Sequence, residues 1–109
     1  MVYGNKIERK IEVSGFLETI KKYEPSHIFF TEHSFFRLSE AQKKIYSSDE
    51  LKRIIKKEIP ILVGIQSNGN YAVFYKRKDK TIKIILGLED HKINIVTFYF
   101  IHEWQVPKL

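Results

Sequence analysis

Residues 61–102 alternate with a period of two through four segments, and the connectors between them are too short to do anything except reverse the chain. The segments, 61–66, 71–77, 81–88 and 93–102, are dominated by β-branched and aromatic residues. The connectors are Ser67-Asn68-Gly69-Asn70, which holds a strong hairpin pair, then Lys78-Asp79-Lys80 and Glu89-Asp90-His91-Lys92. Loops of this length force neighbouring strands to be antiparallel, so the pattern predicts a four-stranded β-meander.

Parity then assigns faces. Ala72 and Phe74, Ile82, Ile84, Leu86 and Leu88, and Val96, Phe98 and Phe100 are expected on one face, under helices. Tyr71, Tyr75, Arg77, Lys83, Ile85, Thr97 and Tyr99 are then expected on the face left open, unless a β-bulge shifts the register.

The helices precede the strands. From Thr31, a possible N-cap, Phe35, Leu38, Ala41 or Gln42, and Ile45 recur at helical spacing, and Ser47 with Glu50 forms a capping-box signature before Leu51, Ile54 and Ile55. That second helix should end before Pro60. Residues 1–24 read as an N-terminal extension in which Gly15 divides a short extended piece from a short helix. Pro25 closes it, and residues 27–31 read as a short strand or extended lead-in. The expected layout is one α+β domain over 1–109, with a core over 25–102 and a detachable tail over 103–109.

Composition narrows the chemistry. The absence of Cys excludes disulfides, thiolate zinc sites and cysteine nucleophiles, and fits a reducing compartment. No apolar run approaches the length of a membrane helix and the N-terminus lacks a signal-peptide core, so a cytoplasmic location is expected. Lys and Arg number 19 against 13 Asp and Glu, a formal charge of +6 that favours a polyanionic partner such as nucleic acid. The same Lys, Ile and Glu enrichment also suits a thermophile surface that binds none.

Two constellations could carry function. An open sheet face bearing Tyr75, Tyr99, Arg77, Lys83 and Thr97 suits single-stranded RNA, because cations hold phosphates while aromatic faces stack bases. His33 and Arg37, spaced i, i+4, share a helix face away from the apolar stripe. A histidine can move the proton of a 2′-hydroxyl, and an arginine can clamp the scissile phosphate. His91 and His102 are further titrating groups without a partner legible in sequence. The spacing of His27, Glu32 and His33 matches no metal motif, so neither a metal nor another cofactor is expected.

The helix bearing His33-x-x-x-Arg37, the second helix, Pro60, and a meander ending in Ile95-Val96-Thr97-Phe98-Tyr99 resemble the RelE and BrnT-like ribonuclease toxins, over roughly 25–101. The likeness is strongest to relatives carrying "His-x-x-x-Arg-Met" and a closing "Val-Thr-x-Tyr" strand. Leu38 stands where that pattern has Met, and Lys43-Lys44-Ile45-Tyr46 replaces a Glu-Arg-Gly turn. The resemblance implies a RelE-like fold and a metal-independent endoribonuclease, often covered by an antitoxin protein. It assigns catalysis to His33 and Arg37 and the polar positions of the last strand to Thr97 and Tyr99. Arg77 and Lys83 are the loosely analogous phosphate contacts. Tyr99 would orient the substrate or donate a proton, and Tyr75 would line the bound strand. Two rivals remain open: a non-catalytic nucleic-acid-binding module using the same face, and a protein-interaction or homodimerisation domain built on that face or a sheet edge.

Overall fold

The computed structural model describes residues 6–30 and 48–108. The four predicted strands form consecutively as β3 (Leu62–Gln66), β4 (Tyr71–Lys76), β5 (Thr81–Leu88) and β6 (Ile93–Ile101), each antiparallel to the next. At the first connection Gly69 takes a φ of 90°, Gly69 N donates to the Gln66 carbonyl at 2.9 Å and Asn70 N donates to Asn68 Oδ1 at 3.0 Å. The left-handed backbone is the reason for glycine there.

The meander is the centre of a larger sheet, which corrects the four-stranded expectation. β1 (Ile7–Lys10) pairs antiparallel with β3, and β2 (Ile28–Phe30) pairs parallel with β6. The result is a six-stranded mixed sheet of order β1-β3-β4-β5-β6-β2. A meander alone leaves the outer edges of its first and last strands unpaired, and β1 and β2 cover them. Two 3-10 turns, Pro25–His27 and Glu103–Gln105, flank β2 and follow β6.

Two α-helices are described, α1 (Val13–Lys21) and α2 (Ser48–Lys57). Within the N-terminal segment, residues 7–10 and 13–21 are therefore part of the fold, and Gly15 lies inside α1 rather than breaking the chain before it. Phe16 and Ile20 from α1, and Leu51, Ile54 and Ile55 from α2, are buried against one face of the sheet. Each such aliphatic or aromatic side chain contributes about 1.5–3 kcal/mol relative to exposure. Lys56 Nζ donates to the carbonyls of Ile20, at 3.1 Å, and Tyr23, so a cation from α2 caps the carbonyl end of α1 and the residues just after it. The helix expected from Thr31 and the capping box at Ser47 lie outside the described residues.

The helix-side core contains Val63, Val73, Tyr75, Ile82, Ile84, Leu86, Ile93, Ile95 and Phe98, with Tyr71 and Phe100 packed against it. A smaller cluster of Leu62, Ala72, Phe74 and Ile85 occupies the opposite face, covered by Ile7, Val96, Ile101 and Val106. The parity of β5 is as expected, but that of β4 is reversed: Tyr71, Val73 and Tyr75 turn toward the helices, and Ala72 and Phe74 away from them. β4 is a central strand with apolar cover on both sides, so its alternation carries no sign of which face is inner.

In β6 the register slips between Ile85 opposite Thr97 and Leu86 opposite Ile95, which leaves Val96 as an extra residue. This bulge lets Ile93 and Ile95 before it, and Phe98 and Phe100 after it, all face the helices, while Val96 and Thr97 face the other way.

Gly64 marks a close approach. A Cβ there would collide with Ile7 Cγ2 and lie 3.3 Å from the Arg9 carbonyl, so β1 can lie on β3 only over a glycine. Gly64→Ala should lower stability by about 1–3 kcal/mol in denaturant titration. The double variant Gly64→Ala with Ile7→Ala should recover much of that loss, and strict additivity would contradict the collision.

Candidate RNA-contacting face

Lys83 lies at the middle of β5, opposite Phe74 on β4 and Tyr99 on β6. Cross-strand partners project to the same side of a sheet, so these three side chains share the face away from the helices. The Lys83 ammonium lies 5.4 Å from the centre of the Tyr99 ring and 5.6 Å from that of Phe74, within cation–π range of both. Thr97, opposite Ile85, adds a hydroxyl to the next row of the same face. Lys83, Tyr99 and Thr97, separated by up to 16 positions in sequence, are thus brought together by the β5–β6 register.

The surroundings of Lys83 are largely apolar, and desolvation lowers its ammonium pKa. Half-burial raises the Tyr99 phenol for the same reason, since it disfavours the phenolate. A weakly solvated ammonium exchanges little water for a phosphate oxygen, and a neutral phenol beside it can donate a hydrogen bond. Thr81, two residues before Lys83, is buried on this face with no hydrogen-bond partner for its hydroxyl among the described residues.

The remaining expected site residues divide differently. Tyr75 is not on the open face: it is fully buried in the helix-side core, and its hydroxyl has no hydrogen-bond partner among the described residues. Burial raises its pKa, with the nearby Glu58 carboxylate adding to the effect and Arg77 opposing it. Arg77 lies beyond the end of β4 and is engaged by Glu58 through NH1 to Oε1 at 2.8 Å and NH2 to Oε2 at 3.2 Å. Glu58 also accepts from Arg53 at 3.3 Å, and Arg53 pairs with Glu50 and holds its carboxyl below the usual range. Arg77 therefore ties β4 to the end of α2, apart from Lys83. His33 and Arg37 lie outside the described residues.

The tail makes contacts with the sheet. Lys76 Nζ pairs with Glu103 Oε1 at 2.9 Å, and Val106 packs on the cluster around Phe74 and Ile85. Sequence reasoning passed over this segment because seven polar and apolar residues after a strand carry no periodicity; its signal was the lone tryptophan, Trp104. His27, His91 and His102 are exposed and belong to separate elements, with His91 beside Glu89, Asp90 and Lys92 in a hollow of 490 Å³ at the β5–β6 loop. Among the described residues no group of three His, Asp or Glu could hold a metal, and no helix is long and apolar enough to cross a membrane.

Two stability predictions follow from burial. Lys83→Met removes a desolvated cation, so at pH 7 it should be at least as stable as wild type. The folded pKa of Lys83 lies below its ordinary 10.5, so between the two values the unfolded state binds more protons and wild-type stability rises with pH. The margin of the Met variant should therefore narrow between pH 7 and pH 10 in urea titrations, and a constant margin would count against desolvation. Tyr75→Phe removes a buried hydroxyl that has no hydrogen-bond partner among the described residues and should add about 1 kcal/mol at neutral pH. Because the raised Tyr75 pKa makes stability fall as pH climbs above 10, the Phe variant should also unfold at a more alkaline pH than wild type.

No protein-family model, curated protein or solved structure matches this chain.

Proposed function

We propose that the protein is a metal-independent endoribonuclease of the RelE and BrnT-like toxin type, acting on single-stranded RNA in the cytoplasm. The observation that supports this reading most is the β5–β6 register, in which Lys83 faces Tyr99 and lies one row from Thr97. Thr97 and Tyr99 are the last-strand positions that the resemblance marks, and Lys83 is loosely analogous to its phosphate-binding cations. A meander preceded by a helix is also in keeping with a RelE-like core, to which β1 and the tail would be additions.

In this reading Lys83 neutralises a phosphate, Thr97 donates to a phosphate oxygen, and Tyr99 orients the strand or donates a proton. His33 removes the 2′-hydroxyl proton as the oxygen attacks the adjacent phosphorus, and Arg37 stabilises the charge that develops. The bond to the 5′-oxygen breaks, leaving a 2′,3′-cyclic phosphate and a free 5′-hydroxyl. Arg77 and Tyr75 have structural roles and contribute little to the substrate. An antitoxin protein covering the Lys83 face would silence the enzyme.

The test is incubation of purified protein with labelled single-stranded RNA in EDTA. Products ending in 2′,3′-cyclic phosphate are expected. Their rate should fall at least about tenfold in His33→Ala, in Arg37→Ala and in Lys83→Met, with thermal midpoints preserved. Binding without cleavage by wild type would replace the nuclease with a non-catalytic RNA-binding module. Neither binding nor cleavage would remove RNA altogether and leave an interaction domain.

A further inference from the structure

The end of the sheet beyond Lys83 holds a second arrangement of cations and aromatic rings. Residues 76–80, joining β4 to β5, contain Lys76, Arg77, Lys78 and Lys80 against the single acid Asp79. Lys76 is paired with Glu103 and Arg77 with Glu58. Lys78 and Lys80 are exposed and have no acidic partner among the described residues; Lys80 Nζ instead lies 4.8 Å from the centre of the Phe100 ring. Two cations are thus presented to solvent on either side of Asp79, while Glu58 and Glu103 are taken up by Arg77 and Lys76.

The tail brings an aromatic surface to the same end. The Lys76–Glu103 pair holds the residue before Trp104 against β4. Trp104 is 79% exposed, the most exposed of the large apolar side chains described. Its ring is stacked on His102, with planes 6° apart and centroids 5.7 Å apart. The turn beneath is closed on both sides: Gln105 Oε1 accepts from the His102 backbone N at 2.8 Å, and Gln105 N donates to the His102 carbonyl at 2.9 Å. An indole held flat by a neighbouring ring loses little freedom when a second flat group stacks on it, and a nucleobase is such a group.

We propose that Trp104, supported by His102, is a base-stacking platform, with Lys78 and Lys80 as its phosphate contacts, so that this end of the sheet is a second subsite for single-stranded RNA. The subsite rests on the RNA reading above and places the RNA round the end of the sheet, from the Lys83 face to the side on which Lys80 lies over Phe100. Its occupant is a nucleic acid rather than an apolar peptide because the exposed Trp104 ring is tied by the Lys76–Glu103 pair to the end of the sheet that also presents Lys78 and Lys80, and phosphates supply the charge they lack. The platform accepts any base, because every base offers a flat face and no hydrogen-bonding edge is read.

The chain has one tryptophan, so its intrinsic fluorescence reports on this position alone. A short 2′-O-methyl oligouridine, which lacks the attacking hydroxyl, allows binding to be followed without cleavage. Tryptophan quenching by the unlabelled oligomer should have the same midpoint as the anisotropy rise of a fluorescein-labelled one. Trp104→Ala should weaken binding about tenfold with an unchanged thermal midpoint, and Trp104→Phe should recover part of the loss. The double variant Lys78→Ala with Lys80→Ala should flatten the log–log salt dependence of affinity by about 1.4, two phosphate contacts' worth. Wild-type affinity in Trp104→Ala, with unquenched emission in the native protein, would overturn the platform while leaving RNA binding at Lys83 intact. Absence of any anisotropy rise with wild type would overturn both.

Discussion

The extra residue in β6 is the constraint on which the arrangement of the sheet depends. A strand of strict alternation could direct either Ile93 and Ile95 or Phe98 and Phe100 toward the helices, but not both pairs. Val96 resolves this by slipping the register by one position, so that all four enter the helix-side core. The same slip sends Thr97 and Tyr99 to the opposite face, where Lys83 from β5 lies between Tyr99 and Phe74. Packing on one side and the polar constellation on the other are consequences of one irregularity, as is common where a bulge lies beside a functional surface.

The strong positive charge of the chain is not evenly available. Arg77 and Arg53 are engaged by Glu58 and Glu50, which join β4 to α2, and Lys56 closes the end of α1. These cations serve the fold. Lys83 is different, because desolvation makes its charge unfavourable and, among the described residues, two aromatic rings compensate. A fold tolerates such a group more readily when a ligand supplies the missing countercharge. Lys78 and Lys80 belong to the connection before β5, where Lys80 Nζ lies over the Phe100 ring on the helix side of the sheet, so the cations without acidic partners occupy both faces near this end.

Much of the architecture was legible in the sequence. Period-two alternation and short polar connectors located β3 to β6 to within a residue at each end, and Leu51, Ile54 and Ile55 marked the buried face of α2. The flanking strands were harder. β2 has three residues and β1 four, too few to display a period, and both pair with segments more than fifty residues away. The faces failed at β4, where Tyr71, Val73 and Tyr75 are as apolar as Ala72 and Phe74 and both rows are covered. That reversal divided the expected site, keeping Lys83, Thr97 and Tyr99 together and removing Tyr75 to the core. The bulge was foreseen as a possibility, but nothing in Ile95-Val96-Thr97 marks which residue is extra.

The central claim is that RNA lies on the face shared by Lys83, Thr97 and Tyr99. Photocrosslinking of the intact protein to single-stranded RNA containing 4-thiouridine, with adducts mapped by mass spectrometry, tests it most directly. The account predicts adducts on the peptide containing Thr97 and Tyr99, suppressed by excess unlabelled RNA. Adducts confined to α1 and α2, on the other side of the sheet, would contradict it.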